Sequence, residues 1–408
     1  MKYDGIVIGG GAAGIFAAIM AARQGKRVLL LERNDRLGKK LLITGKGRCN
    51  ITNACTAQEV LNNIPRNGKF LYSAINAFTP EQAMEFFESI GCPLKTERGN
   101  RVFPVSDKSS SVLDAMKKEL IRTGVTVRTQ RVQQICVQKG AVVGVRTDGT
   151  QYLSDWVILA TGGVSYPATG STGDGYDMAR KLGHTIIAPE GSLVPLQAQG
   201  DACQRMQGLS LRNVGVKLLD AKGKTLYKDF GELLFTHFGV SGPIVLSASA
   251  HLQGSDCKLL IDLKPALDET KLGVRLLRDL AQYQNRSVEN ALMDILPRSM
   301  IPVILDCAGI NPALQANSLR KEQRSTLLGL MKAFPICITG KRPVEEAIIT
   351  SGGIKVSEIN PKTMESKLIS GLYFAGEIID CNAYTGGFNL QIAWASAYAA
   401  ATAIKNRD

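Results

Sequence analysis

The stretch that most constrains this chain is Gly9-Gly10-Gly11-Ala12-Ala13-Gly14, followed by an acid at Glu32. Tyr3 to Ile8 ends in Gly-Ile-Val-Ile, the apolar run expected of a buried parallel strand, and Ala12 to Gln24 has the Ala, Ile and Met content of a packed helix. The glycines fall at the turn between them. Gly9 permits the tight turn, Gly11 lets the backbone approach a pyrophosphate, and Gly14 lets helix and strand close up, while the helix start at Ala12 and Ala13 offers unpaired N–H groups to phosphates. A second strand, Lys26 to Leu31, then delivers Glu32 at the distance where a carboxylate holds both hydroxyls of an adenosine ribose. Strand, glycines, helix, strand and acid in this order predict a dinucleotide site without a 2'-phosphate.

Composition sets the setting for that site. A chain of 408 residues, 45% hydrophobic and 21% charged, has enough apolar material for two domains and a large core. Its N-terminus carries no basic segment leading into an apolar core, and no run of eighteen apolar residues occurs, so the expectation is a cytoplasmic protein with no membrane partner. Nine cysteines without a C-x-x-C pair read as reduced thiols, with no metal implied. Of the net charge of +13, an excess of six lies in residues 1–60, most of it between Arg23 and Arg48, where the pyrophosphate is expected. No basic tail or Lys/Arg block exists. The charge fits cofactor neutralisation on a solvated surface and leaves an anionic partner such as RNA open.

Along the chain, Arg36-Leu-Gly-Lys-Lys40 leads into Thr44-Gly45-Lys46-Gly47-Arg48-Cys49-Asn50, a loop with little to bury and much to offer a phosphate or a polar ring edge. Thr79-Pro80-Glu81-Gln82 starts a helix that Gly91 stops, Ser111 to Thr123 is a helix, Thr126 to Val132 a strand, and residues 133–153 a small antiparallel meander. A second buried strand, Asp155 to Ala160, ends in Thr161-Gly162-Gly163. A glycine-rich stretch, Thr169 to Gly175, precedes a helix from Tyr176 to Leu182, and His184 after Gly183 reads as structural. From about Glu190 to Leu263 the chain turns strand-like, and Leu267 to Phe334 reads as helices. This shift predicts residues 1–189 and 344–408 as one discontinuous α/β domain, with 190–343 inserted as a β-rich then helical substrate domain. The last strand, Leu372 to Ala375, is followed by Gly376-Glu377, a glycine turn at Thr385 to Asn389 and a closing helix from Leu390 to Ile404.

A phosphate turn at the start, a strand ending Ala-Thr-Gly-Gly in the middle, and a second glycine turn and helix at the end suit an extended dinucleotide held at both ends, which points to FAD. The expected contacts are Gly9, Gly11, Ala12, Ala13, Gly14, Glu32 and Arg33; then Lys40, Thr44, Gly45, Arg48, Cys49 and Asn50. Val132, Ala160, Thr161 and Gly162 follow, and finally Gly376, Glu377, Gly387, Phe388, Asn389 and Leu390. No second strand-GxGxxG-helix unit is present, so NAD(P)H is expected to dock transiently at the flavin, or another reductant serves.

The glycine turn, Thr44-Gly-Lys-Gly-Arg-Cys-Asn50, Ala160-Thr-Gly-Gly163, Leu234-Phe-Thr-His-Phe-Gly-Val-Ser-Gly-Pro243 and Gly386-Gly-Phe-Asn-Leu-Gln391 together resemble the BaiN/YhiN-like (aminoacetone oxidase-like) flavoprotein family over essentially the whole chain. The resemblance implies a glutathione-reductase-like Rossmann FAD domain interrupted by an insert with a β-barrel-like and a helical part. It also implies one of three activities: reduction of double bonds in 3-oxo bile acids, dihydrouridine formation in ribosomal RNA, or oxidation of aminoacetone. The first two share chemistry, since each reduces a C=C bond conjugated to a carbonyl. An NAD(P)H-linked reductase of a 3-oxo-Δ4/Δ6 bile-acid or steroid intermediate is the favoured expectation. A ribosomal-RNA dihydrouridine synthase and an oxygen-using amine oxidase are the alternatives. His237 and Tyr384 are the candidate catalytic groups, with Thr236, Ser241, Asn389 and Cys49 as further polar candidates.

Overall fold

The computed structural model describes residues 2–252, 254 and 256–404. It divides into two compact units, Met1–Ser192 with Val344–Asp408, and Leu193–Pro343.

The first unit is built on a five-stranded parallel sheet. Gly5–Ile8 is its central strand, with Val28–Glu32 and then Thr126–Thr129 on one side and Trp156–Leu159 and then Leu372–Phe374 on the other. Its inner strands read Gly-Ile-Val-Ile, Val-Leu-Leu-Leu-Glu and Trp-Val-Ile-Leu and are buried throughout, as a parallel sheet covered on both faces requires. The chain leaves the central strand in one direction and returns on its other side at Trp156. The order therefore reverses there, and a crevice opens at the carboxyl ends of Gly5–Ile8 and Trp156–Leu159.

Two helices cover this crevice from below. Ala12–Ala22 and the closing helix Phe388–Thr402 are rich in alanine and pack closely, and between and around them Phe16, Phe78, Phe86, Phe87 and Trp394 form an aromatic cluster. Trp394 is fully buried and its indole N–H donates to the Ile51 carbonyl at 2.9 Å, so its polar atom is satisfied where its ring is dry. Burial of each such ring contributes about 2 to 3 kcal/mol.

Expected and observed boundaries differ instructively. The strand expected over Thr126 to Val132 is two strands, Thr126–Thr129 in the parallel sheet and Val132–Gln138 in a three-stranded antiparallel sheet with Ala141–Thr147 and Gln151–Leu153. The helix expected from Tyr176 begins at Asp174, because Gly173 is left-handed (φ 86°) and the acids Asp174 and Asp177 fill the first turn. The closing helix likewise starts at Phe388, behind a left-handed Gly387 (φ 98°) where a side chain would meet the Thr52 carbonyl.

The second unit contains a closed six-stranded barrel, in the order Leu196–Ala198, Gly239–Ser241, Thr225–Thr236, Ser210–Leu219, Cys257–Asp262 and Phe334–Lys341. Phe334–Lys341 alternates buried and exposed residues and closes the barrel against Leu196–Ala198. Helices including Glu269–Gln282, Ile301–Cys307 and Lys321–Lys332 lie between the last two strands in sequence and share the barrel's apolar core. Among the described residues no helix is long and apolar enough to cross a membrane.

Candidate functional site

The turn after the central strand is held by its own backbone. Gly9 N–H donates to the Leu31 carbonyl at 2.8 Å, and Gly38 N–H donates to the Gly10 carbonyl at 2.8 Å, so the loop after the second strand is tied to the turn after the first. A side chain at Gly14 would come within 1.8 Å of the Gly9 carbonyl oxygen, and one at Gly9, already at φ 105°, within 2.5 Å of the Ala160 carbonyl. At Gly11 the space within 4 Å is open. The first two glycines are demanded by packing and the third by nothing in the protein itself, which is the pattern a ligand approaching at Gly11 requires.

A cavity in the first unit runs along this crevice. It is lined by Gly9 to Ala13, Glu32, Arg33, Lys40, Thr44, Val132, Ala160, Thr161, Gly162, Gly376, Glu377, Asn389 and Leu390, all sequence candidates except Gly10. Glu32 is buried, with one carboxylate oxygen accepting the Gly10 N–H at 2.6 Å and the other accepting the backbone N–H of Asn34 at 2.7 Å and its side-chain amide at 2.8 Å.

Glu377 is a second acid on the wall, its side chain 13% exposed. It accepts from Lys40 Nζ at 2.6 Å, from the Ser165 hydroxyl at 2.9 Å and from the Thr350 N–H at 2.8 Å. Burial pushes its pKa up, and the Lys40 ammonium with the donors around it outweighs that push, so the carboxyl sits below its ordinary value and stays charged. Thr350 Oγ1 also accepts from Val164 N and Ser165 N, at 2.8 and 3.1 Å. Four segments distant in sequence are therefore locked at one point of the wall.

Not every candidate reaches the cavity. Gly14, Gly45, Arg48, Cys49, Asn50, Gly387, Phe388 and Tyr384 stand outside its lining. Arg48 is engaged by Glu97 and Asp107 and lies over the Phe103 ring, its guanidinium 4.1 Å from the ring centroid. Cys49 is fully buried and burial pushes its thiol up to about 12, which leaves it protonated and unreactive. Phe388 is buried in the core, and Tyr384 N–H donates to the Asn63 carbonyl at 3.0 Å. His237 is exposed in the second unit, in the two-residue turn between Thr225–Thr236 and Gly239–Ser241, and Thr236 Oγ1 closes that turn on the Gly239 carbonyl at 3.0 Å.

The wall also contains residues that the sequence reading missed. Gln130 and Arg131 occupy the break between two strands that had read as one, and Thr169 to Asp174 arch over the cavity from the stretch noted only as glycine-rich. Ile348, Ile349 and Cys381 complete it, without a sequence signal beyond their apolar character. The fit to an extended dinucleotide rests on the open approach at Gly11, the free helix start behind it, and the buried Thr161 hydroxyl on the wall, which has no partner among the described residues.

A family model described as the HI0933-like protein Rossmann domain matches residues 3–403. The chain belongs to this family. The match is that of the BaiN/YhiN-like flavoproteins expected from the sequence motifs. Within the family, the chain is 33% identical over 410 aligned positions to a protein of Clostridium scindens named 3-dehydro-bile acid delta(4,6)-reductase, covering 98% of each chain. It is 29% identical to an Escherichia coli protein named ribosomal RNA dihydrouridine synthase, over 98% of this chain and 97% of that one. Among solved structures, 3-ketosteroid delta1-dehydrogenase from Sterolibacterium denitrificans superposes with a TM-score of 0.53 at 13% identity, covering 98% of this chain and 99% of the other, a likeness of fold.

Proposed function

We propose that this protein is an FAD-dependent oxidoreductase that reduces a C=C bond conjugated to a carbonyl in a small molecule, a 3-oxo-Δ4 or Δ6 bile-acid or steroid intermediate. The observation that carries the reading is the cavity itself. A phosphate-type turn and Glu32 stand on its wall together with Gly376, Glu377 and Asn389 from the far end of the chain, so one extended ligand can touch both sets. FAD bound there supplies a hydride to the carbon remote from the carbonyl.

The chain's own groups bind and orient. N–H groups at the start of Ala12–Ala22 would hold the pyrophosphate and Glu32 the ribose, while Lys40 pairs with Glu377 on the wall. Asn389 clamps its own loop, accepting the Ala383 N–H and donating to the Ala383 carbonyl, both at 2.8 Å, which fixes the start of the closing helix beside the cavity. Tyr384, in the loop that Asn389 clamps, is the acid we assign to polarising the carbonyl or protonating the second carbon, with NAD(P)H as the transient reductant.

The 33% relative's name supports the bile-acid class of substrate. A second reading, reduction of uracil in ribosomal RNA, is favoured by the net charge of +13 and by the name of the 29% relative. Steady-state assay of NADPH and NADH oxidation with a 3-oxo-Δ4 steroid and with unmodified ribosomal RNA separates the two. A steroid product two hydrogens heavier supports the first reading, and dihydrouridine in the RNA supports the second.

A further inference from the structure

The stretch from Ala160 to Gly173 is anchored at two points that differ in exposure. Its inner half is tied where Ser165 meets Glu377, Lys40 and Thr350, and that network is mostly buried, Glu377 being 13% exposed. Its outer half is tied at the surface. Asn34 Nδ2 donates to the Thr169 carbonyl at 3.0 Å, Arg33 Nη1 donates to Thr172 Oγ1 at 2.6 Å and to Asp174 at 3.0 Å, and Arg131 reaches the same Asp174 oxygen at 2.8 Å with a side chain 57% exposed. Left-handed glycines at 170 and 173, with φ of 99° and 86°, bracket the outer segment and supply hinges. Burial pushes the Asp174 carboxyl up, while Thr172 and the two arginines bring it below its ordinary value, so it is charged at neutral pH.

We propose that Asp174 is a latch, and that the dinucleotide enters and leaves at its adenosine end when Asp174 lets go of Arg33 and Arg131. The inference rests on the FAD reading above. Thr169 to Asp174 line the cavity together with Glu32, Arg33 and Arg131, so the latch closes the rim at the ribose acid. Ion pairs open to solvent are weak and screened by salt, and the Arg33 and Arg131 side chains, 33% and 57% exposed, are more open than Lys40 at 21%, so the outer half opens first. Three elements meet at the latch: the end of Val28–Glu32, the break before Val132–Gln138, and the start of Asp174–Lys181.

The test is the rate of FAD release from the holoprotein, followed by flavin fluorescence after dilution into a flavin-binding trap, at low salt and at about 0.5 M salt. Wild-type release is expected to accelerate with salt. Asp174→Asn is expected to release FAD about fivefold faster at low salt and to lose most of the salt dependence, with the bound-flavin absorbance spectrum unchanged. Asp177→Asn is the control for helix start and folding, since Asp177 also lies in the first turn of that helix but, among the described residues, its carboxylate pairs with Arg180 and not with Arg33 or Arg131. It is expected to behave as wild type. Release unchanged in Asp174→Asn, or equally fast in Asp177→Asn, overturns the latch while leaving the FAD reading intact. A purified protein that neither carries nor binds FAD overturns both.

Discussion

Lys40 and Glu377, 337 residues apart in sequence, meet at 2.6 Å in the wall of the cavity. Removing the cation strands a buried carboxylate, which costs far more than the pair contributes net. Lys40→Met is expected to lower stability by about 3 kcal/mol near neutral pH, and Lys40→Met with Glu377→Gln to recover most of it. In the wild type the folded-state pKa of Glu377 is depressed, so its contribution is complete above the ordinary value of 4.5 and is lost as pH falls through the lower folded value. In Lys40→Met burial, the largest influence on the carboxyl, is opposed only by the Ser165 and Thr350 donors, so the pKa rises relative to wild type and the variant's deficit should shrink on acidification. Denaturant melts at pH 7.5 and at about pH 5 check both signs; an equal deficit at the two pH values contradicts the pairing.

The glycines at 14 and 11 make opposite predictions from one substitution. Gly14→Ala drives a methyl into the Gly9 carbonyl at 1.8 Å and should destabilise the protein by about 2 kcal/mol or more, with or without cofactor. Gly11→Ala meets open space within 4 Å and adopts an ordinary φ of −85°, so the apoprotein should melt as wild type while FAD affinity falls at least tenfold. Apoprotein melting and flavin titration of both variants separate packing from ligand approach. Equal FAD affinity in Gly11→Ala and wild type would place the pyrophosphate elsewhere.

A buried trio outside the cavity mimics a hydrolase triad. His184 Nε2 lies 3.0 Å from Ser366 Oγ and Nδ1 faces Glu358 at 3.3 Å. Ser366 Oγ already accepts the N–H groups of Leu368 and Ile369, at 3.0 and 2.9 Å, so its proton is assigned to Nε2 and the ring proton to Nδ1. None of the three lines the cavity at the glycine turn, and we read the group as structural. Burial lowers the His184 pKa against the pull of Glu358, so folding favours the neutral ring. Its contribution is present above the ordinary value of 6.5 and is lost as pH falls through the lower folded value. Between about pH 7 and pH 5 wild-type stability should fall, and His184→Gln should flatten that slope without altering flavin binding. A slope unchanged in the variant contradicts the assignment.

Much of the geometry at the candidate site is legible in the sequence because its demands are local. Gly9, Gly14 and Glu32 are fixed by a turn, a contact and a strand length, each readable as spacing. Arg48 reads as a cofactor contact because its own loop is rich in glycine and cations; Glu97 and Asp107, which engage it, lie 49 and 59 residues away and carry no local mark. Arg131 and Asp174 were missed for a related reason. Their roles arise from a strand break and an arch that only the folded sheet brings together. The closing strand of the barrel, Phe334–Lys341, has clear alternation but abuts a helix, and propensity at such a junction does not reveal which side wins.

The central claim is tested most directly by reducing the bound flavin without oxygen and following the return of its oxidised absorbance. With a 3-oxo-Δ4 steroid present, return is predicted within seconds, stoichiometric with saturation of the steroid double bond, and far slower with buffer alone. Return with unmodified ribosomal RNA and not with the steroid would make the substrate a nucleic acid. Return only when oxygen is admitted would contradict the reductase account and favour oxidation of an amine.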